Sequence, residues 1–215
     1  MVNNNEYGII ARLFTSRKMY LSQLKEQGYE TENYENFSIN EVNIMFQNKQ
    51  QDMLINHPDG TKVYISYHVE KALRPQNIHD MIDDLYEIDK MLTAQDILTI
   101  IVKDAPNDTL THLIMNIYAN TNIFINILYL GQLQFNVLEH SLVPQHKKLT
   151  HDQGEDIKKK YNIAFDKELP EISRFDPPAQ ILGLRPGDIC HIVRPSKISV
   201  TVDHYRVCVN KKRKI

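Results

Sequence analysis

Apolar positions along the chain follow two rhythms, one of three to four residues and one of two, and these lay out its elements. Residues 6–27 carry Ile9, Ile10, Leu13, Phe14, Tyr20, Leu21 and Leu24 on one helical face, with Gly28 placed to close the helix. Ser38-Ile39-Asn40-Glu41 has capping-box spacing, which predicts a second helix running to about Asn48. Met53-Leu54-Ile55 and the alternating Val63-Tyr64-Ile65-Ser66-Tyr67 read as strands, joined through Asp59-Gly60, a preferred pair for a tight hairpin turn. After Pro75, the residues Ile78, Met81, Ile82, Leu85, Ile88 and Leu92 mark one side of an amphipathic helix with acids on the other. Ile97–Val102 is an apolar run of buried-strand length, Asp108 starts a helix through Leu110, Leu113, Ile114 and Ile117, and residues 123–130 return to strand. Such alternation predicts an α/β layer. Gly131 then interrupts, as a turn or a bulge, before the apolar residues of 133–138.

At His140-Ser141-Leu142-Val143-Pro144 the pattern stops, and a domain boundary is placed there. Charge supports the division: residues 1–139 hold 10 Lys and Arg against 18 Asp and Glu, a balance of −8, and residues 140–215 hold 15 against 9, a balance of +6. A surface that follows a phosphate backbone needs clustered Lys and Arg, so the acidic first part is no dedicated DNA clamp. The second part opens with a helix capped at Thr150 with Gln153 three residues on; Lys158, Lys159 and Lys160 near its end complement the helix dipole. Residues 170–174 predict a short strand. Asp176 can then cap a helix whose first position is Pro177 and whose end is Gly183, and Arg185-Pro186-Gly187-Asp188 fits a type II turn. Residues 189–193 and 205–209 are strands, with residues 194–204 folding back between them. The expected fold is α/β plus α+β: a domain of residues 1–139, a small α+β domain of residues 140–210, and a basic tail of residues 211–215.

A chain of 215 residues with 42% hydrophobic residues can bury one sizeable core or two small ones, and is expected to be a soluble intracellular protein. Met1-Val2-Asn3-Asn4-Asn5 does not open a signal peptide, and no apolar run reaches membrane-spanning length. Cys190 and Cys208 are expected as buried reduced thiols, since two cysteines do not make a secreted disulfide framework. Pro58-Asp59 and Glu70-Lys71 share residue types with nucleases that hold Mg²⁺ by a Pro-Asp and a Glu-x-Lys pair. The spacing fails, because adjacent Glu70 and Lys71 point to opposite faces of a strand. His140, His146 and His151 straddle the boundary and a helix cap, without zinc-site spacing. The chain has neither a G-x-S-x-G nor a Gly-rich phosphate loop. No catalytic, metal-ligating or cofactor-binding residue is nominated, and no cofactor is expected.

The order Asp176-Pro177, Ala179, Leu182-Gly183-Leu184, Gly187, Ile192, Arg194, Ser196, Tyr205-Arg206 and Cys208 resembles the C-terminal domain of a shared RNA polymerase subunit, the fifth-largest in eukaryotes, which has an archaeal counterpart. Leu142-Val143-Pro144, His146, Leu149, the helix around Lys158-Lys159-Lys160-Tyr161 and Leu169-Pro170 extend the resemblance upstream. Pro178 and Pro186 depart from the family pattern, and Ile198 and Val200 stand where the family tends to have a small Thr/Gly loop.

The resemblance implies a non-catalytic subunit of a DNA-directed RNA polymerase, whose catalytic Mg²⁺ belongs to the two largest subunits. Its C-terminal domain would dock on the largest subunit. Its N-terminal domain would be an inactive nuclease-like fold in the jaw beside downstream duplex DNA. The implied partners are thus the rest of the polymerase and that duplex, with no membrane and no homo-oligomer required. Asp176, Pro177, Arg194, Tyr205 and Arg206 would form the partner interface, and Thr109 and Thr111, by element order, would be DNA-proximal. The location would be the nucleus, or a virion or cytoplasmic viral factory; abundant Asn, Ile, Tyr and Lys suit the AT-rich genome of a protist or large DNA virus. The tail Lys211-Lys212-Arg213-Lys214 would be an import signal, a phosphate contact or a solubilising end. The competing reading is a free-standing DNA-binding adaptor, with affinity for duplex that falls steeply with salt. Arg194 and Arg206 carry the most chemical information, because an Arg among apolar strand residues is costly to dehydrate unless its planar fork is paired.

Overall fold

The structure is a computed structural model and describes residues 4–211; Lys212, Arg213 and Lys214 of the basic tail lie outside the described residues. The chain divides into two compact units, the first ending at Phe135 and the second beginning at Asn136.

The first unit is built on a four-stranded sheet in the order β1-β2-β3-β4. Strands β1 (Met53–Asn56) and β2 (Lys62–His68) form an antiparallel hairpin, and β3 (Ile97–Val102) and β4 (Phe124–Tyr129) add in parallel. The parallel connections are made by helices α3 (Pro75–Ile82) and α4 (Asp108–Thr121). Strands β3 and β4 are almost wholly buried, which is why they read as continuous apolar runs without alternation. Helix α1 (Asn4–Glu26) buries Leu13, Tyr20, Leu21 and Leu24, and the Tyr20 hydroxyl meets Thr99 Oγ1 of β3 at 3.1 Å. Helix α2 (Ile39–Gln47) carries the full capping box between Ser38 and Glu41. Among the described residues no helix is long and apolar enough to cross a membrane.

Two local expectations change, and the choice left open at Gly131 is decided. The hairpin register leaves residues 57–61 as a longer loop, closed by the His57 N–H on the Thr61 carbonyl at 2.8 Å, in place of a tight Asp-Gly turn. Gly60 still supplies a positive φ of 91°. Beyond α3 the chain continues as a π-helix, Asp83–Ile88, with the Asp89 N–H bonded five residues back to Asp84 at 2.8 Å. The wider turn advances each residue by a smaller angle, so Ile88 no longer falls beneath Leu85 and is 71% exposed, while Leu92 is buried. Of the two readings of Gly131, the turn is the one that forms: it leads into a 3₁₀ turn over Gln132–Gln134, and residues 135–140 run irregularly.

The second unit has its own four-stranded sheet, ordered β5-β7-β8-β6. Strands β7 (Ile189–Pro195) and β8 (Thr201–Val209) form a long antiparallel hairpin, longer than predicted, so that residues 196–200 alone join them. Strand β6 (Glu171–Ser173) runs parallel to β8, and β5 (Gln145–Lys148) pairs antiparallel with β7. The polar sequence of β5 carries no apolar alternation that would predict a strand. Helix α5 (His151–Lys160) has the Thr150–Gln153 capping box, and Lys158 bridges Glu155 at 3.0 Å and Asp166 at 2.7 Å. Helix α6 (Pro177–Ile181) ends before Gly183, whose φ is 58°. The type II turn forms, with the Asp188 N–H on the Arg185 carbonyl at 2.9 Å and Gly187 at φ 97°.

Asp96 ties the first sheet together: its buried carboxylate accepts from the Lys62 N–H at 2.7 Å and from the Thr93 N–H and hydroxyl at 2.6 and 2.8 Å. Asp96→Ala strands these donors at the start of β2 and β3, and the expected loss is about 1–3 kcal/mol. A shift of the urea midpoint at unchanged slope would record it, and an unshifted midpoint would show that the carboxylate holds nothing.

Candidate docking groove on the second unit

Successive side chains of a strand point to opposite faces, and on β8 this separates two environments. Val207 faces Leu169 and Ile189, with Leu149, Ile163 and Tyr205 packed at the margin. Cys208 faces the other way into a core with Ile172, Ala179, Leu182, Leu184, Cys190 and Ile192. Both thiols are free, and burial raises Cys190 to about 11 and Cys208 to about 12, so both stay protonated. Arg206 lies opposite Cys190 in the register, on the face of this second core, and Arg194 follows Ile192 on the same face of β7. Both arginines therefore emerge where the core ends.

There they line a groove of about 810 Å³ with Asp176, Pro177, His146 and Leu142 among its walls. Arg206 is half-buried and its Nη1 donates to the Glu171 carbonyl at 3.1 Å, while Arg194 is exposed. Asp176 occupies the N-cap position of α6, but its carboxylate accepts no helix N–H; the expected side-chain cap is not made. Without that bond the carboxylate belongs to the groove, beside His146. The His146 Nδ1–H donates to the Pro144 carbonyl, and burial, helped by repulsion from Arg194 and Arg206, lowers its pKa against the opposing pull of Pro144 and Asp176. Leu142 is 85% exposed at the groove wall, and at the hairpin tip Ile198 and Val200 are 100% and 90% exposed.

Of the five interface residues nominated from sequence, Asp176, Pro177, Arg194 and Arg206 come together in this groove. Tyr205 does not, because alternation turns it to the opposite face, where it stacks on His191 at 4.9 Å and meets Tyr161 at 5.7 Å. Sequence reasoning missed His146 and Leu142 as groove residues, although both belong to the motif that carries the family resemblance.

Thr109, Thr111, Asp59 and Glu70 lie in the first unit. Thr109 and Thr111 sit in the first turn of α4, capped by Asn107; Thr109 is exposed, and Thr111 is buried with its hydroxyl on the Asn107 carbonyl at 3.1 Å. Asp59 accepts from Thr61 and lies 2.7 Å from His57 Nδ1, while Glu70 pairs with Lys49 at 3.7 Å. Burial alone would raise Asp59, but bonds from Thr61 and His57 outweigh it and hold the carboxyl down at about 2. Among the described residues no group of three His, Cys, Asp or Glu is placed to hold a metal ion.

Comparison with known proteins bears directly on this unit. Residues 135–208 match the family described as RNA polymerase Rpb5, C-terminal domain. The chain is 38% identical over 76 residues to DNA-directed RNA polymerase subunit Rpo5 of Thermococcus kodakarensis, covering 35% of this chain and 92% of that one. It is 38% identical over 79 residues to Rpo5 of Pyrococcus abyssi, covering 37% and 95% of the two chains. With subunit RPABC1 of RNA polymerases I, II and III from Caenorhabditis elegans it shares 36% identity over 79 residues, 37% of each chain. Near-complete coverage of the archaeal relatives shows the family: the chain belongs to the Rpb5/Rpo5 subunits of DNA-directed RNA polymerase, a component of the transcription machinery.

The position of His146 makes the unit sensitive to acid. Its pKa in the fold lies below the ordinary 6.5, so the unfolded chain takes up the proton first as pH falls. The stability it supports is complete above the ordinary value and is lost as pH drops through that window. Unfolding of the full chain should therefore shift to lower urea between pH 7 and pH 5, and His146→Gln should flatten that dependence. An unchanged slope in the variant would assign the acid sensitivity to other groups.

Proposed function

We propose that the second unit docks the chain on the largest polymerase subunit through the groove between α6 and the ends of β7 and β8, and that the chain takes no part in the chemistry of nucleotide addition. The observation carrying this reading is the convergence of Arg194, Arg206 and the uncapped carboxylate of Asp176 around the exposed Leu142 in one concavity. Apolar walls with a few fixed polar groups suit a polypeptide segment, which the arginines can hold through carbonyls or carboxylates. The first unit, an α/β layer whose Asp59 and Glu70 are engaged in separate local pairs, is read as the inactive nuclease-like jaw beside downstream duplex. Thr109, exposed at the start of α4, is the side chain offered toward that duplex. The site of action would be the nucleus of a eukaryotic host, with a viral factory as the counterpart for a virus-encoded enzyme.

The test is recovery of the largest subunit from the native source by a tagged full-length chain. Arg206→Ala and Arg194→Ala should each weaken recovery, since truncating a partnered interfacial Arg costs about 2–5 kcal/mol. Tyr205→Phe, on the other face, should recover the subunit normally, as should a chain lacking residues 1–135. Thermal melting of each variant controls for folding. Normal recovery by both arginine variants, or loss of recovery on removing the first unit alone, would place the assembly surface elsewhere.

A further inference from the structure

A second concavity lies in the first unit, between α1 and the segment that leads into α2. Its volume is about 510 Å³, and its walls include the apolar side chains of Phe14, Leu21, Phe37 and Val42 and the cation of Arg17. Arg17 is 7% exposed. Its guanidinium stands 5.2 Å from the Phe37 ring centroid and 6.0 Å from that of Tyr34, within the range of a cation–π contact. Its Nη1 reaches the Gln51 carbonyl at a long 3.5 Å, and its Nε is sealed from solvent with nothing to donate to. Among the described residues no carboxylate forms an ion pair with it.

A buried guanidinium without a counter-ion is strongly unfavourable, and aromatic faces offset part of that cost only. The acid on the cavity wall, Glu35, is already held by Lys25 at 3.0 Å and by the Thr31 hydroxyl at 2.5 Å. Glu41, nearby in sequence, is committed to the capping box with Ser38. Lys18 and Lys25 add positive charge to the walls. The cavity is thus apolar in surface and cationic in field, and among the described residues the acid on its wall is already paired.

We propose that this cavity binds a carboxylate carried on an apolar or aromatic body, with Arg17 as its counter-ion and Phe37 and Leu21 against its apolar part. A planar carboxylate matches the planar guanidinium fork. A polyanionic strand is disfavoured by the surroundings, because the first 139 residues carry a balance of −8. The carboxylate could belong to a free small acid or to the C-terminus of a polypeptide with an apolar last residue; the chemistry is shared, and the experiment separates the two. The inference does not rest on polymerase docking, since its site and its readout lie in the other unit.

Ligand-observed NMR on the full-length chain tests it with four probes: phenylacetate, phenylacetamide, the peptide acetyl-Gly-Gly-Phe with a free C-terminus, and the same peptide amidated. Phenylacetate should bind at least about tenfold more tightly than its amide, a difference that follows from pairing a charge in a desolvated site. Binding of the free-acid peptide as well would identify a polypeptide terminus as an acceptable source, and binding of phenylacetate alone would identify a small acid. Arg17→Met should abolish the acid-over-amide preference; if that variant melts early, the acid–amide comparison on the unaltered chain still decides. Equal binding of acid and amide, no binding of either acid at millimolar concentration, or an unchanged preference in a folded Arg17→Met chain would overturn the proposal.

Discussion

The side chains at Tyr205, Arg206, Val207 and Cys208 cannot all face the same environment, because a strand presents its residues alternately. The second unit depends on that constraint. Val207 and Cys208 seal two apolar layers on opposite sides of one sheet, and once they are fixed, Arg206 and Tyr205 have no freedom of face. Arg206 must emerge on the same face as Arg194, where both line the groove, and Tyr205 must stack with His191 on the other side. A register slip of one residue in β8 would exchange the layers that Val207 and Cys208 enter and turn Arg206 away from the groove, so the core that stabilises the unit also sets the geometry of its groove.

Helix α6 completes the site by what it leaves unused. Pro177 at the first helical position needs no N–H partner, and the Asp176 carboxylate accepts none from the helix. The carboxylate therefore stays with His146, Arg194 and Arg206 as part of a mixed-charge wall. Such a wall can hold a polypeptide by several modest bonds, without the single strong charge that a phosphate backbone would call for.

What the sequence disclosed, and what it withheld, follows from the range of the interactions involved. Capping boxes at Ser38 and Thr150, the turn at Gly187 and the buried runs of β3 and β4 are set by near neighbours, and they appear in the structure as read. The polar β5 owes its existence to the edge of β7, a partner more than forty residues away, and nothing local announces it. The π-turn that exposes Ile88 is likewise invisible to a search for a 3.6-residue period. Four groove residues were legible through the family motif, yet grouping them required the register; the same register removes Tyr205. Arg17 was missed although its signal was present: it stands four residues after Leu13 and three before Tyr20, inside the apolar stripe of α1, where a cation has no reason to be unless something pairs with it.

The central claim is that the groove of the second unit is filled by the largest subunit. A cryo-EM reconstruction of the polymerase purified through this chain tests it directly. The expected map shows a polypeptide segment of the largest subunit lying against Leu142, Pro177, Arg194 and Arg206, with both guanidiniums bonded to it. A map in which the chain is bound while that groove faces solvent would contradict the account.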